Sequence, residues 1–275
     1  MHKRRLIIYN VLGIILATLI FVMPFYFALI NSFKDQKESS LLNLSLPSSY
    51  HIVENYKQVL EFSDRIVARG FINSIIITFF TVIGAVIVCS MAAFVLQRRE
   101  DKFSGFWSFM LLFGVIVPPA IVPTIWVLQA LHIFKTLPSM ILLEIAFYFP
   151  YAAIMYRGFM KTIPRELDEA AVIDGCGRIR LFFQIIFPLL KPVTITVILL
   201  CTLTVFNDFM NPLYFLPGVK NTTAPLTLYC FTGQYYNRWN LLFADTVLMV
   251  LPILILYIFL NKKLMAGMVA GALRG

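Results

Sequence analysis

The chain of 275 residues is 60% hydrophobic and only 13% charged, and its mean hydropathy is +0.83. A water-soluble domain has about a quarter charged residues, so this composition excludes an ordinary soluble protein and indicates a protein of the lipid bilayer. The net charge of +9 does not indicate a nucleic-acid partner, because the Lys and Arg residues lie in short clusters between apolar runs.

Six apolar runs follow one another along the chain, each close to the ~20 residues that cross a bilayer as a helix. We therefore predict an all-α, polytopic membrane protein with six transmembrane helices, at 6–30, 71–96, 106–128, 137–156, 193–211 and 241–260. The first run follows a basic cluster, as a signal sequence does. It is long and no small-residue cleavage site follows it, so we interpret it as a retained anchor.

The Lys and Arg residues are distributed unequally between the two sides of the membrane that these runs define. One side holds 15 of them, in 1–5, 97–105, 157–192 and 261–275. The other side holds 8, in 31–70, 129–136 and 212–240. The richer side is expected to be cytoplasmic. Both termini are therefore expected on the cytoplasmic side of a bacterial plasma membrane. The predicted parts are an anchor helix (1–30), an extracytoplasmic loop (31–70), a five-helix core (71–260) with a cytoplasmic loop (157–192), and a cytoplasmic tail (261–275).

The third run contains three prolines, Pro118, Pro119 and Pro123. A proline removes a backbone donor and clashes with the preceding helical turn. The freed carbonyl groups need partners in hydrocarbon, so such a segment belongs against protein or beside a water-filled cavity. The prolines therefore indicate either a position beside a central pathway or a kink that serves packing.

The sequence carries no signature of an enzyme or of a metal site. Its four cysteines lack CxxC or other metal-ligand spacing, and neither HExxH nor GxSxG occurs. The phosphate-binding pattern GxxxxGKS/T is also missing, which excludes ATP binding by that route. We expect no catalytic residue, no metal and no cofactor on this chain.

A charged stretch, EAAVIDGCGRIRLFFQIIFPLLKP at 169–192, interrupts the apolar pattern between the fourth and fifth runs. The residues from 165 to 173 are compatible with a short helix. Three acidic residues would lie in its first turn, near the positive end of the helix dipole. Gly175 suits a stop behind this helix, because glycine accepts left-handed dihedral angles.

A second helical segment is expected from 178 to 187, with its end at Pro188. In the first segment, Leu167, Ala170 and Ala171 form a narrow apolar stripe at helical spacing. Such a short helix is not stable by itself, so it must dock on something, and small residues allow close docking.

The spacing of this stretch resembles the pattern EAA-x3-G-x9-I-x-LP of ABC-importer permeases, with Phe187 where Leu is usual. The resemblance implies that 169–175 is a coupling helix seated in a groove of a separate ATPase subunit. Closure of two such subunits, which bind ATP and Mg²⁺, would then move the permease. The implied ATPase-coupling residues are Glu169, Ala170, Ala171, Asp174, Gly175, Ile185 and Pro188.

Three other stretches resemble the carbohydrate-importer branch of these permeases, the maltose-transporter type. They are FINS (71–74), VFNDFMNPL (205–213) and AGMVAGALRG (266–275). This resemblance implies a sugar or oligosaccharide substrate, a second related permease chain in a heterodimer, two ATPase copies and an extracytoplasmic solute-binding protein. It also implies that the 212–240 loop meets the binding protein, with Tyr229, Tyr235 and Tyr236 as candidate contacts.

Four polar residues are candidates for the substrate path: Glu144, Asn207, Asp208 and Asn211. Polar and ionisable groups at membrane depth are costly and usually face a bundle interior or a wet cavity. An Asn beside a carboxylate supplies both the donors and the acceptors that sugar hydroxyls need. Asp208 could instead pair with the partner permease, which would make it structural.

Three other functions remain as alternatives. An ABC permease of this type could carry amino acids, phosphate or metals instead of sugar. A secondary transporter driven by an ion gradient would favour inverted repeats and ion-coordinating groups deep in broken helices, for which Glu144 alone is weak support. A membrane-embedded enzyme is disfavoured by the missing motifs.

Overall fold

The computed structural model describes residues 2–99, 102–233 and 237–272, and every regular element in these ranges is helical. The α-helices are α1 (His2–Asn31), α2 (Gln36–Ser39), α3 (Ile52–Arg98), α4 (Ser104–Ile116), α5 (Ile121–Ala130), α6 (Leu137–Met160), α7 (Glu166–Ile173), α8 (Arg178–Arg180), α9 (Phe187–Leu189), α10 (Lys191–Phe206), α11 (Met210–Phe215), α12 (Ala224–Thr227) and α13 (Trp239–Ala272). A π-helical segment, Leu181–Ile186, joins α8 to α9, and a 3-10 turn, Leu228–Phe231, follows α12.

Several helices are long and apolar enough to cross a bilayer, which confirms the all-α, polytopic prediction. Within the described ranges, three helices meet this condition: α3, whose residues 62–65 have non-helical dihedral angles, α6 and the Trp239–Phe259 part of α13. Two bent pairs, α4 with α5 and Arg178–Leu189 with α10, raise the number to five if each pair is one span. In α1 the apolar helix found is the shorter Leu16–Asn31, so the predicted number of six is not confirmed.

The predicted third span is not one helix but two, bent by 108°. α4 ends at Ile116, and Val117 takes an extended conformation (φ −81°, ψ 121°). Val117 precedes Pro118, and the proline ring excludes the helical region for the residue before it. The prolines therefore break the segment between α4 and α5, where the sequence predicted one span that lies beside a central pathway or has a kink for packing.

The chain forms two compact units, of which the first comprises Met1–Arg69 and Leu226–Pro252. Lys34 of this unit is fully buried. The Lys34 ammonium donates to Asn31 Oδ1 (3.1 Å), to Asn43 Oδ1 (2.8 Å) and to the Asn43 carbonyl (3.0 Å). These three oxygens satisfy all three donors of the ammonium group, which is the condition under which a charge can be buried.

The second unit comprises Gly70–Pro225 and Ile253–Gly275. Its buried core is formed by side chains of α3, α6, the π-helical segment and α10, including Cys89, Tyr156, Ile186 and Val197. Tyr156 on α6 also donates to the Thr194 hydroxyl at the start of α10 (3.2 Å). The core thus continues from the apolar spans to Ala171 of α7, which is 5% exposed.

Two glycines allow close approach of the spans within this second unit. A methyl group added at Gly114 of α4 would lie 2.7 Å from Cγ of Pro150 on α6. One added at Gly84 of α3 would clash with the side-chain end of Ile145, also on α6. Small residues at such contacts are how helices associate in lipid, where van der Waals packing replaces the hydrophobic driving force.

We predict that Gly114→Ala destabilises the second unit by about 1–3 kcal/mol, because the rigid ring of Pro150 cannot rotate away from the added methyl. The matched control is Gly105→Ala in the same helix, where nothing lies within 4 Å of an added methyl. The control variant is expected to be neutral or slightly stabilised, since Ala has the higher helix propensity. Thermal unfolding of both variants in lipid nanodiscs measures the difference, and equal midpoints would contradict the prediction.

Candidate functional site: the charged loop and the polar cluster of the second unit

The charged stretch forms a short helix that is stabilised at both ends. Three acidic side chains, Glu166, Asp168 and Glu169, lie in the first turn of α7, where the helix dipole favours negative charge. The Arg165 carbonyl accepts from the backbone N–H groups of Asp168 (2.8 Å) and Glu169 (3.1 Å). The helix therefore begins and extends as the sequence predicts, within one residue.

The other end of α7 is a Schellman motif. The Cys176 N–H donates to the Ala171 carbonyl (2.9 Å), and the Gly175 N–H donates to the Val172 carbonyl (3.0 Å). Gly175 has a φ of +77°, the left-handed conformation that a glycine adopts without strain. The structure thus confirms the predicted left-handed stop at Gly175.

The candidate coupling residues divide into an outward and an inward group. Glu169, Ala170, Asp174, Gly175 and Pro188 are exposed. Ala171 is buried against the core, to which the partly buried Ile185 also packs. Leu167 and Ala170 of the predicted stripe are exposed, so only Ala171 holds that stripe to the rest of the unit.

The second helical segment extends past the end that the sequence predicts. It runs from Arg178 to Leu189 and includes Pro188. Pro188 stands at the first turn of α9, immediately after the π-helical segment. The segment thus ends one residue beyond Pro188, within the usual spread of helix boundaries of about two residues.

An apolar surface is exposed around the Gly175 turn. Ile173 is 85% exposed, Ile179 is 75% exposed and Val172 is 60% exposed. Charged side chains flank these residues on both sides, including Glu169, Asp174, Arg178 and Arg180. Because lipid-facing surfaces exclude such charges, this surface is built to face water or another protein.

The arginine that ends α3 holds α7 in place. Arg98 Nε lies 2.5 Å from Asp168 Oδ2. The Arg98 side chain is 15% exposed and the Asp168 side chain is 16% exposed. Nη1 and Nη2 of Arg98 also lie 3.3 Å from the Ile163 carbonyl, in the turn before α7. Sequence analysis did not identify Arg98. The one signal for it in the sequence was that the basic cluster at 97–105 and the acidic first turn of α7 are predicted on the same side of the membrane.

Three of the four substrate-path candidates lie together in the second unit. Glu144 of α6 is 3% exposed, and its Oε1 accepts from the Asn211 amide of α11 (3.2 Å). Asp208 Oδ1 in turn accepts from the Asn211 backbone N–H (3.2 Å). We call Glu144, Asp208 and Asn211 the polar cluster. α10 ends at Phe206, whereas the sequence predicted a span to 211. Asp208 and Asn211 of the polar cluster therefore lie beyond the end of α10.

Asn207, the fourth candidate, does not join the polar cluster through its amide nitrogen. That nitrogen donates to the Leu203 carbonyl (2.9 Å), and Asn207 is the residue that caps the end of α10. Its side chain is exposed.

Of the candidate contacts with a binding protein, Tyr229 lies on the 3-10 turn of the first unit and is 64% exposed. Tyr235 and Tyr236 lie outside the described residues.

Comparison with known proteins gives consistent similarities. The family model described as "Binding-protein-dependent transport system inner membrane component" matches residues 85–269. A probable starch degradation products transport system permease protein, AmyC of Thermoanaerobacterium thermosulfurigenes, is 35% identical over 96% of this chain and 95% of its own length. The melibiose/raffinose/stachyose import permease protein MelC of Bacillus subtilis is 34% identical over 92% and 91%.

A solved structure has a similar fold. It is a bacterial ABC transporter involved in the import of the acidic polysaccharide alginate, and the comparison covers 95% of this chain and 97% of that chain with a TM-score of 0.82. At 18% identity this similarity supports the fold alone.

We predict that Asn211→Ala destabilises the second unit by about 1–3 kcal/mol, because the buried carboxyl of Glu144 loses a hydrogen-bond donor. Asn207→Ala is the matched control: it removes the same amide, but from an exposed side chain bonded within its own helix. The control is expected to change stability by less than about 0.5 kcal/mol. Thermal unfolding in nanodiscs compares the two, and an equally large effect at Asn207 would argue against the polar cluster.

Proposed function

Because the chain belongs to the family of binding-protein-dependent transport system inner membrane components, we propose that it is one of two related permease subunits that form the pathway of an ATP-driven saccharide importer. Two copies of a separate subunit bind ATP and Mg²⁺, and α7 is the helix that docks on one of them. An extracytoplasmic solute-binding protein delivers the saccharide.

One observation carries this proposal: α7 is a capped, exposed helix with an apolar tip. Its outward residues, with Val172, Ile173 and Ile179, offer an apolar docking surface bordered by charge. A helix held at both ends moves as a rigid body when its partner moves, which is how closure of the ATPase subunits could reach the membrane spans. The distribution of Lys and Arg predicts that the termini and this loop lie on the cytoplasmic side, where the ATPase subunits are proposed to bind.

The saccharide assignment has two supports. AmyC and MelC, to which the chain is similar over most of its length, are named for starch degradation products and for melibiose, raffinose and stachyose. The polar cluster combines carboxylate acceptors with an amide donor, and Asn207 keeps a side-chain oxygen, which together suit sugar hydroxyls. Tyr229, exposed on the 3-10 turn, is the contact that we propose for the binding protein, together with Tyr235 and Tyr236.

We predict that Gly175→Val reduces ATP-driven uptake at least about fivefold, because a side chain in the left-handed region is strained by roughly 1–2 kcal/mol. Gly177→Val is the matched control. Gly177 lies two residues away with an ordinary extended backbone (φ −70°, ψ 156°), and nothing lies within 4 Å of an added side-chain carbon. Uptake by proteoliposomes that contain the complete importer separates the two variants. Normal uptake by Gly175→Val would contradict the role of the loop.

The saccharide prediction is tested on the cognate binding protein and on the reconstituted importer. We expect the binding protein to bind raffinose or maltotriose and not amino acids, inorganic phosphate or metal ions, as measured by calorimetry. Uptake of the bound saccharide should require ATP inside the compartment that holds the ATPase subunits. Binding of an amino acid alone, or uptake driven by an ion gradient without ATP, would refute the proposal.

A further inference from the structure

Two side chains on one face of α7 attach the helix to its own chain. Asp168 and Ala171 are three residues apart, so their side chains lie on the same side of the helix. Ala171 packs into the core, and Asp168 binds Arg98. Other side chains of the helix, including Glu169 and Ile173, are exposed.

The Arg98 end of this attachment is a junction of several helices in the second unit. Gln97 Oε1, one residue before Arg98, accepts from Arg157 Nε in the last turn of α6 (3.2 Å). Arg157 Nη1 donates to the Ser108 hydroxyl of α4 (2.6 Å). Arg165 Nη2, at the start of α7, lies 3.4 Å from the Gln97 carbonyl. The end of α3 thus contacts α4 (through Arg157), α6 and α7 within a few residues.

The chemistry of the Arg98–Asp168 contact makes it a firm attachment. A guanidinium is planar and always charged, and here it binds a carboxylate and a backbone carbonyl at the same time. Both side chains are mostly buried, so solvent screens their attraction less than that of an exposed pair. Loss of either partner would leave a largely buried charge without its counter-charge and would remove this attachment of α7.

We propose that Arg98 and Asp168 are positioning residues: they fix the orientation of α7 and carry its displacement into α3, without contacting the ATPase subunit themselves. The proposal rests on the proposed function of α7 as the docking helix and adds the route by which its motion enters the membrane spans. α7 then acts on α3 through this ion pair and on the core through Ala171.

The first test measures the orientation of α7 without any ATPase subunit. Spin labels replace Ile173 on α7 and Met91 on α3, both exposed, in the full chain without its native cysteines in lipid nanodiscs. Double electron–electron resonance should give one narrow distance distribution for the parent chain and for Asp168→Glu, which keeps the carboxylate. Asp168→Asn and Arg98→Gln should broaden it. Glu166→Gln, which removes a neighbouring acidic charge from an exposed position in the same turn, should leave it narrow.

The second test measures coupling in the complete importer. In Asp168→Asn and Arg98→Gln, the ATPase subunits should still co-purify, while the stimulation of ATP hydrolysis by the loaded binding protein falls about fivefold or more. Asp168→Glu should restore most of the stimulation. Asp64→Asn is the control: Asp64 also binds an arginine, Arg69 (3.3 Å), but its carboxylate side chain is 93% exposed. Its removal should leave the stimulation unchanged.

The two tests separate this proposal from the proposed function. Narrow distance distributions in Asp168→Asn and Arg98→Gln would overturn the positioning role, whatever the ATPase does. Broad distributions with undiminished stimulation would overturn the transmission of motion through this pair. If the parent importer shows no ATPase association at α7 at all, the proposed function fails, and the distance measurement still decides whether the ion pair positions the helix.

Discussion

The structure depends on one constraint: a polar group inside hydrocarbon must find its partner within the protein. Helices meet this condition for the backbone, which is why every regular element in the described ranges is helical. The constraint extends to side chains. In α10 the hydroxyls of Thr194, Thr196, Thr202 and Thr204 each donate to the carbonyl four residues earlier. The backbone of the helix thereby accommodates these hydroxyls, and Thr194 also accepts from Tyr156 of α6.

Where the helical pattern fails, the same constraint explains what replaces it. The prolines after Ile116 end α4 and bend the segment by 108°. At the end of α10, the Asn207 amide takes the Leu203 carbonyl, one of the carbonyl groups that a helix end leaves without a partner. In the first unit, three oxygens surround the buried ammonium of Lys34. At the end of α10 and around Lys34, a specific partner within the protein thus matches the polar group.

The charged loop that carries α7 obeys different rules, because its exposed charged side chains exclude it from hydrocarbon. α7 has eight residues, too few for a helix to be stable by itself, and it gains stability from its acidic first turn, its Schellman motif, the buried Ala171 and the Arg98 contact. Two of these four are local and two are tertiary. A membrane transport component needs an element that is rigid and yet exposed, and this combination provides it: local caps stiffen the helix while one face alone attaches it.

Local features of the chain could be predicted from the sequence by itself. Apolar runs near bilayer length indicate a helical membrane protein, although they did not show the break in the third run. The charge and glycine pattern predicts α7 and its left-handed stop, and the spacing of 169–188 identifies the family loop. These features depend on neighbours along the chain or on the solvent, which one sequence contains. The positions of Glu169, Gly175 and the three acidic residues of the first turn follow directly.

Only the tertiary structure decided which distant residues meet. Glu144 and Asn211 are 67 residues apart and Arg98 and Asp168 are 70 apart, so neither hydrogen bond has a signal in the local pattern. The sequence indicated that each polar residue needed a partner but not which one, because several candidates carry the right charge. The sequence also assigned Asn207 and Asn211 the same role. Because α10 ends at Phe206, the Asn207 amide bonds back to its own helix, whereas the Asn211 amide bonds to Glu144 of α6. The physical reason is that helix ends and helix packing, not residue type, determine where a side chain points.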